Sequence, residues 1–127
     1  MNVVVDTSIW IDFFKGKDIP ELETALKECR VYTTPLIISE LVSGTHLPSE
    51  ENKLLEFLEN LPLINFNIEH WIAVGRLRKK CQKNGYTVST PDAHIAQATI
   101  DITGTLFSTD AIFPKIKKFI NLNVAEF

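Results

Sequence analysis

The chain has 127 residues, of which 45% are hydrophobic and 23% are charged, and its formal net charge at pH 7 is −3. This composition excludes a disordered tail, a collagen-like rod and a low-complexity linker, and the length predicts one domain spanning residues 1–127. The chain has neither a signal-peptide pattern nor an apolar run near the ~20 residues that a membrane span needs. We therefore expect a cytoplasmic protein, without a membrane partner, whose two cysteines, Cys29 and Cys81, are reduced.

The first half of the chain begins with three valines at residues 3–5, which are apolar on both faces, as in a buried strand. Capping residues and apolar spacing then predict helices, and a β-branched stretch predicts a second strand. In chain order these are a helix over 7–14, a helix from 20 to about 29, a strand over 31–33 and a helix over 35–44.

The second half of the chain continues the alternation of helices and strands. Its predicted elements are a helix over 49–61, a strand over 63–66, helices over 68–83 and 90–102, a strand over 105–108, a short helix after Asp110 and an edge strand over 120–124. Strands separated by helices throughout predict an α/β protein with a mostly parallel sheet covered on both faces.

Two acids follow predicted strands. Asp6 ends the strand at residues 3–5, and Asp110 comes just after the strand at residues 105–108. Ligands of open α/β sheets bind at the carboxyl ends of the strands, so both acids face the expected crevice. Each acid could equally be the N-cap of the helix that follows it.

Two further acids lie on predicted helices. Successive helical residues are 100° apart, so a polar stripe runs along the helix over 90–102, formed by His94, Gln97 and Asp101. Asp92 lies opposite that stripe, on the apolar face. An acid in the first turn also complements the helix dipole, but this does not explain its direction, so we favour a functional role. Glu40 lies at the edge of the buried face of its helix, where a glutamate is usually just solvated.

These four acids converge in one crevice if the two strand ends are neighbours and both helices abut them. Two carboxylates ~4 Å apart repel by ~4 kcal/mol at an effective dielectric constant of ~20. Such a cluster must hold protons or a cation, and at neutral pH a divalent metal ion is the better answer. An oxygen-only ligand set suits Mg²⁺ or Mn²⁺ rather than zinc. The sequence therefore predicts hydrolysis of a phosphodiester by metal-activated water.

Four short motifs carry these acids: VVDTS at 4–8, TPLIISEL at 34–41, PDAHIAQA at 91–98 and LFSTDAIF at 106–113. In this order, and over almost the whole chain, they resemble the PIN-domain ribonucleases, specifically the VapC-like toxins of VapBC-type toxin–antitoxin pairs. Each motif alone is weak, whereas all four in order are specific. The resemblance implies a PIN-like three-layer sandwich, with a mostly parallel sheet of about five strands flanked by helices.

The resemblance also implies an Mg²⁺- or Mn²⁺-dependent endoribonuclease that cleaves single-stranded or structured RNA. One or two metal ions would be held first by Asp6 and Asp92, with Glu40 and Asp110 completing the shell. Hydroxyl groups that orient these carboxylates would be those of Thr7, Ser8 and Ser108. Toxins of this kind usually form homodimers, and an antitoxin protein inhibits them by laying its C-terminal segment across the active groove.

Basic residues are the candidates for RNA contacts, because phosphate contacts supply much of the affinity for RNA. Eight of the 13 basic residues form two clusters: Arg76, Arg78, Lys79, Lys80 and Lys83, and then Lys115, Lys117 and Lys118. A solvated helix face explains each cluster at least equally well.

Two other groups of side chains have simpler interpretations. The dispersed histidines, His46, His70 and His94, are expected to have no ligand or catalytic role. Trp10, Phe13 and Phe14 crowd the first helix, and core packing is their default role. Part of this aromatic surface could also serve a homodimer or an antitoxin.

Two other functions remain open from the sequence. A phosphohydrolase of the aspartyl-phosphate kind would use Asp6 as its nucleophile, but such enzymes usually carry a second Asp where this chain has Ser8. A non-catalytic PIN-like module would bind RNA or a protein only. Such modules tend to lose one or more of the acids, and all four are present here.

Overall fold

The computed structural model describes residues 1–126. In this part of the chain the strands are β1 (Val3–Val5), β2 (Val31–Tyr32), β3 (Thr105–Phe107) and β4 (Asn123–Val124). The helices are α1 (Thr7–Phe14), α2 (Pro20–Lys27), α3 (Pro35–Ser43), α4 (Pro48–Leu58), α5 (Ile68–Lys83), α6 (Thr90–Asp101) and α7 (Ile112–Ile116). The predicted helices are all present, and their ends differ from the predictions by a few residues.

The strands form one parallel sheet in the order β2-β1-β3-β4. β1 is central, and its three valines are buried, as a strand covered on both faces requires. β1 and β3 pair in register from Val3 opposite Thr105 to Val5 opposite Phe107. The residues that follow these two strands therefore lie side by side at one edge of the sheet.

The prediction of about five strands was slightly too high, because the stretch at residues 63–66 is not a strand. It contributes a single parallel bridge, in which Thr33 donates to the carbonyl of Pro62 and accepts from the amide of Ile64. Pro62 has no amide proton to extend the ladder before this bridge, and Pro35 has none to extend it afterwards. The chain also enters α3 at Pro35, so the pairing is limited to one bridge. The final strand is likewise shorter than predicted, at Asn123–Val124.

The helices flank the sheet as two groups. One group is formed by α1, α3 and α4, which pack against one another in sequence, and the other by α5 and α6, whose contact is extensive. α6 also packs on β1 and β3, so its buried residues join the sheet core. Among residues 1–126, no helix combines the length and apolar character needed to cross a membrane.

Gly104 fixes the close approach of β3 to the start of β1. A Cβ atom at this position would lie 2.7 Å from the carbonyl oxygen of Asn2. The same carbonyl accepts a 2.8 Å hydrogen bond from the amide of Thr105, the first pair of the β1–β3 register. Only a residue without a side chain fits here, and the register that it permits positions the far ends of both strands.

Candidate active site

Asp6 lies at the carboxyl end of β1 and is 9% exposed. Its Oδ1 accepts a 2.8 Å hydrogen bond from the amide of Thr7, which makes Asp6 the N-cap of α1. Its Oδ2 accepts a 2.7 Å hydrogen bond from the hydroxyl of Ser108. The two interpretations from the sequence are therefore compatible, because one oxygen caps the helix and the other faces the end of β3.

Ser108 links the acids that follow β1 and β3. Its hydroxyl donates to Asp6 and accepts a 3.1 Å hydrogen bond from the amide of Asp110. The carboxylate of Asp110 accepts a 3.0 Å bond from the amide of Ile112, the first residue of α7, but the N-cap of this helix is Ala111 and not Asp110, so the alternative interpretation of Asp110 as an N-cap was wrong. One buried hydroxyl thus holds two predicted site residues in a fixed relation.

Glu40 reaches the same edge from α3. It is exposed, and its Oε1 accepts a 3.1 Å hydrogen bond from the hydroxyl of Thr7. Thr7 directly follows Asp6, and α1 packs against α3, so this bond connects Glu40 to the end of β1. The hydroxyls of Thr7 and Ser108, two of those singled out from the sequence, therefore each donate to the carboxylate of one predicted acid.

Asp92 occupies the first turn of α6, and Ser89 caps this helix through a 3.2 Å bond from the amide of Asp92. Its side chain is partly buried, and this burial raises the pKa of the carboxyl group. The hydroxyl of Ser89 acts in the opposite direction. The negative charges of the other three predicted acids raise the pKa further, namely those of Asp110, Asp6 and Glu40. Asp92 therefore belongs to the same electrostatic cluster.

The pKa of Asp6 is also raised, mainly because the carboxyl group is buried. The charge of Asp110 adds to this increase, whereas hydrogen bonds from Ser108, Thr7 and Ser8 oppose it. Along residues 1–126, the ion pairs are Lys17–Asp12, Arg30–Glu28 and His70–Asp101, and none of them involves the four acids. The cluster is thus negatively charged and has no protein cation to neutralise it.

The donor set fits a hard divalent cation, because all its ligands are oxygens. In the part of the chain that the structure describes, no three His, Cys, Asp or Glu side chains already converge on one ion-sized position. Carboxylates of like charge repel one another, and a bound cation would remove that repulsion. The four acids are thus near one another but not drawn together as a closed ligand shell.

The basic cluster on α5 is mostly exposed to solvent. Arg78 differs from the other residues of this cluster, because its Nε donates a 2.9 Å hydrogen bond to the carbonyl of Val88, just before α6. No residue of this cluster forms an ion pair with the four acids. Within residues 1–126, Lys117 of the second cluster lies nearer to the site, because it lines a cavity together with Asp110.

The polar stripe of α6 is covered by α5, which the sequence did not indicate. His94 is 2% exposed, and its Nδ1 lies 2.7 Å from Nε2 of His70. The other ring nitrogen of His70 lies 2.6 Å from Asp101, and Trp71 stacks on His94. Burial, together with the smaller effect of the neighbouring His70, lowers the pKa of His94 to about 4. The hint available in the sequence was that His94 and Asp101 are seven residues apart, on one helix face.

Comparisons with known proteins agree with this arrangement. The PIN domain matches residues 3–119. Ribonuclease VapC3 of Methanocaldococcus jannaschii is 29% identical over 96 residues, which are 76% of this chain and 96% of the relative. Ribonuclease VapC1 of Rickettsia felis is 27% identical over 107 residues, covering 79% of this chain and 78% of the relative.

Solved structures share the fold over the full length of the chain. The structure of VapBC2 from Rickettsia felis, bound to a promoter DNA fragment, has a TM-score of 0.81 at 19% identity and covers 100% of this chain and 99% of its own. The structure of VapBC-1 from nontypeable Haemophilus influenzae has a TM-score of 0.78 at 15% identity and covers 99% of this chain and 98% of its own. With the four acids on the strand ends and flanking helices of this sheet, the chain belongs to the PIN-domain family.

Proposed function

We propose that this protein is a metal-dependent endoribonuclease that acts in the cytoplasm as the toxin of a toxin–antitoxin pair. One observation carries the proposal: acids from four separated segments, Asp6, Glu40, Asp92 and Asp110, form one anionic cluster that has no ion-pair partner among residues 1–126. Two relatives are named ribonucleases, and the similar structures are VapBC complexes, which supports RNA as the substrate and an antitoxin as the partner.

In this proposal Asp6 and Asp92 hold the cation, and Glu40 and Asp110 complete the site. Mg²⁺ fits this oxygen-rich set, as does Mn²⁺. When bound, the cation supplies charge neutralisation at the phosphate and an activated water for hydrolysis. The sequence and structure are compatible with one ion or two.

Hydrogen bonds from neighbouring residues hold the proposed ligand carboxylates in position. Ser108 donates to Oδ2 of Asp6, and the amide of Thr7 donates to Oδ1, so the carboxylate cannot rotate freely. The hydroxyl of Thr7 holds Glu40 in the same way. Because the pKa values of Asp6 and Asp92 are raised, protons compete with a cation for these carboxylates as the pH falls.

The antitoxin is proposed to bind a groove between α1, α3 and α4, which has a volume of about 730 Å³. Its apolar lining includes Phe14, Leu54 and Phe57, and Glu40 lies in its wall, so the groove borders the carboxylate cluster. Phe14 is 43% exposed, whereas Trp10 beneath it is fully buried. A peptide segment with an apolar face could therefore cover the groove and obstruct the site.

A homodimer is proposed to form through a different surface, on the first two turns of α5. Ile68, Trp71 and Ile72 are 69%, 47% and 46% exposed there. Large apolar side chains grouped on one helix face are typical of protein interfaces. Analytical ultracentrifugation tests this part of the proposal. We expect the unmodified chain to sediment as a dimer and Ile72→Lys to sediment as a monomer at the same concentration.

The decisive test of the nuclease is a metal-titrated assay on a synthetic RNA. We expect cleavage in Mg²⁺ or Mn²⁺ that EDTA abolishes, and no cleavage by Asp92→Asn. The matched control is Asp18→Asn, which removes an exposed acid outside the cluster and should leave cleavage unchanged. Tight RNA binding without cleavage would instead identify a non-catalytic module, and a phosphorylated Asp6 would identify an aspartyl-phosphate enzyme.

A further inference from the structure

A second recess opens beside Asp110, between the segment that follows β3 and the segment that follows β4. It has a volume of about 420 Å³, enough to admit a nucleoside. Asp110 and Ser108 form the side that faces the carboxylate cluster. The hydroxyl of Ser108 binds both Asp6 and the amide of Asp110, so the recess and the cluster share a wall.

The lining of this recess combines two chemistries. Pro114, Val124 and Ala125 provide an apolar wall, which suits the flat face of a nucleobase. Lys117 provides a positive charge at the edge of the recess, which suits a phosphate group. The lining also includes Glu126, so anions are repelled on that side and the phosphate position is restricted to the neighbourhood of Lys117.

Lys117 differs from the lysines next to it. Lys115, Lys117 and Lys118 are all exposed, yet only Lys117 lines this recess within the chain as described. In residues 1–126 the side chain of Lys117 forms no ion pair with a carboxylate. Its ammonium group is therefore available to a ligand, and Lys27, an exposed lysine of α2 outside both basic clusters, is the matched control.

We propose that this recess is a nucleotide subsite for the RNA strand, immediately beside the phosphodiester that is cleaved. A base packs against Pro114, Val124 and Ala125, and Lys117 contacts the phosphate of the same nucleotide. The inference rests on the proposed function for the identity of the ligand as RNA. The new element is that base specificity depends on this recess, on the β3–α7 side of the site, and not on the basic cluster of α5.

The first experiment measures RNA affinity against salt concentration in the Asp92→Asn background, where the strand stays intact. Replacing Lys117 by Gln is expected to reduce the slope of log affinity against log salt by about 0.7, the value for one phosphate contact of a single strand. Replacing Lys27 by Gln should leave the slope unchanged. Equal slopes for the two variants would overturn the proposal.

The second experiment maps cleavage sites on an RNA of randomised sequence. Ala125→Leu narrows the recess, so we expect a changed base preference at one position adjoining the cleaved bond, with Mg²⁺-dependent cleavage retained. Melting temperature verifies that the variant is folded. An unchanged preference at every position in a folded variant would also overturn the subsite. Failure of the unmodified chain to cleave any RNA would refute the proposed nuclease separately, because the salt-dependence experiment needs no cleavage.

Discussion

Two aspartates on the same helix have opposite surroundings. Asp101, at the end of α6, accepts a 2.6 Å contact from His70 and a 2.8 Å hydrogen bond from Gln97. Asp92, in the first turn, is partly buried among three other acids, and no protein cation pairs with it in residues 1–126. We call Asp101 compensated, because two side chains donate hydrogen bonds to its carboxylate. Asp92 is uncompensated, because the charged groups that act on it are three other acids.

The difference shows how a structural acid can be told apart from a ligand-binding one. A compensated carboxylate stabilises the folded state, because its hydrogen bonds to other side chains form only when the chain is folded. An uncompensated one destabilises the metal-free fold, because burial and like charges both oppose its ionised form. A buried carboxylate of this kind is a candidate for ligand binding, because a bound cation supplies the positive charge that the protein does not. The predictions below test this contrast, from the largest expected effect to the smallest.

Neutralising each aspartate should have opposite consequences. Asp92→Asn should reduce RNA cleavage by more than the ~10–100-fold typical of losing a supporting residue, and should not destabilise the metal-free fold. Asp101→Asn should retain cleavage but lower the free energy of unfolding by ~1–3 kcal/mol, because His70 loses its charged partner. Cleavage rates and urea denaturation measure the two effects, and equal behaviour of the variants would contradict the contrast.

Removing the hydroxyl that connects Asp6 to Asp110 should impair the site indirectly. We expect Ser108→Ala to reduce cleavage by ~10–100-fold, since Ser108 orients a ligand without binding the metal. Ser49→Ala, at an exposed position on α4, is the control and should behave as the unmodified chain. A Ser108→Ala variant with full activity would show that the amide of Thr7 alone suffices to fix Asp6.

A divalent cation should stabilise the fold only while the acidic cluster is intact. At a concentration of Mg²⁺ or Mn²⁺ about 100-fold above its dissociation constant, the free energy of unfolding should rise by ~2.7 kcal/mol. Differential scanning calorimetry should show a smaller rise for Asp92→Asn and an unchanged rise for Asp101→Asn. An equal rise in all three proteins would place the cation elsewhere.

The pH dependence of stability in EDTA should have two components of opposite sign. His94 has a pKa lowered from 6.5 to about 4, so its contribution is present above pH 6.5 and is lost as the pH falls toward 4. Asp6 and Asp92 have raised pKa values, so the folded state takes up their protons first and their contribution to stability improves as the pH falls. Urea denaturation of His94→Gln and Asp92→Asn between pH 7 and pH 4 should isolate the two components, because each variant loses one. A pH profile unchanged by His94→Gln would contradict the first component.

The fold and the family were predicted correctly from the sequence, because both depend on local signals. Valines at 3–5, capping residues and apolar spacing determine the elements, and the alternation of strands and helices determines the parallel sheet. The strand at 63–66 was wrong, because the pattern cannot show that the pairing with Thr33 is limited to one bridge by Pro62 on one side and Pro35 on the other.

Asp92 could be selected from its unusual place on a helix, whereas Asp6, Glu40 and Asp110 also had simple structural explanations and were selected together with it by their order in the four motifs. The contacts among them could not be derived, since they depend on the register of β1 with β3 and on the packing of α1 against α3. The buried pair His70–His94 was missed for the same reason. A polar stripe on α6 predicts exposure to solvent unless one knows that α5 covers it with its own histidine.

The hydrogen bond between Ser108 and Asp6 joins residues 102 positions apart in the chain. During synthesis, the ribosome makes Asp6 and Glu40 well before Ser108, the serine that connects Asp6 to Asp110. A growing polypeptide therefore carries the first of the proposed metal-binding carboxylates while it still lacks β3, the strand that aligns them. In the proposed function, this order of assembly delays activity until β3 and the residues after it have left the ribosome.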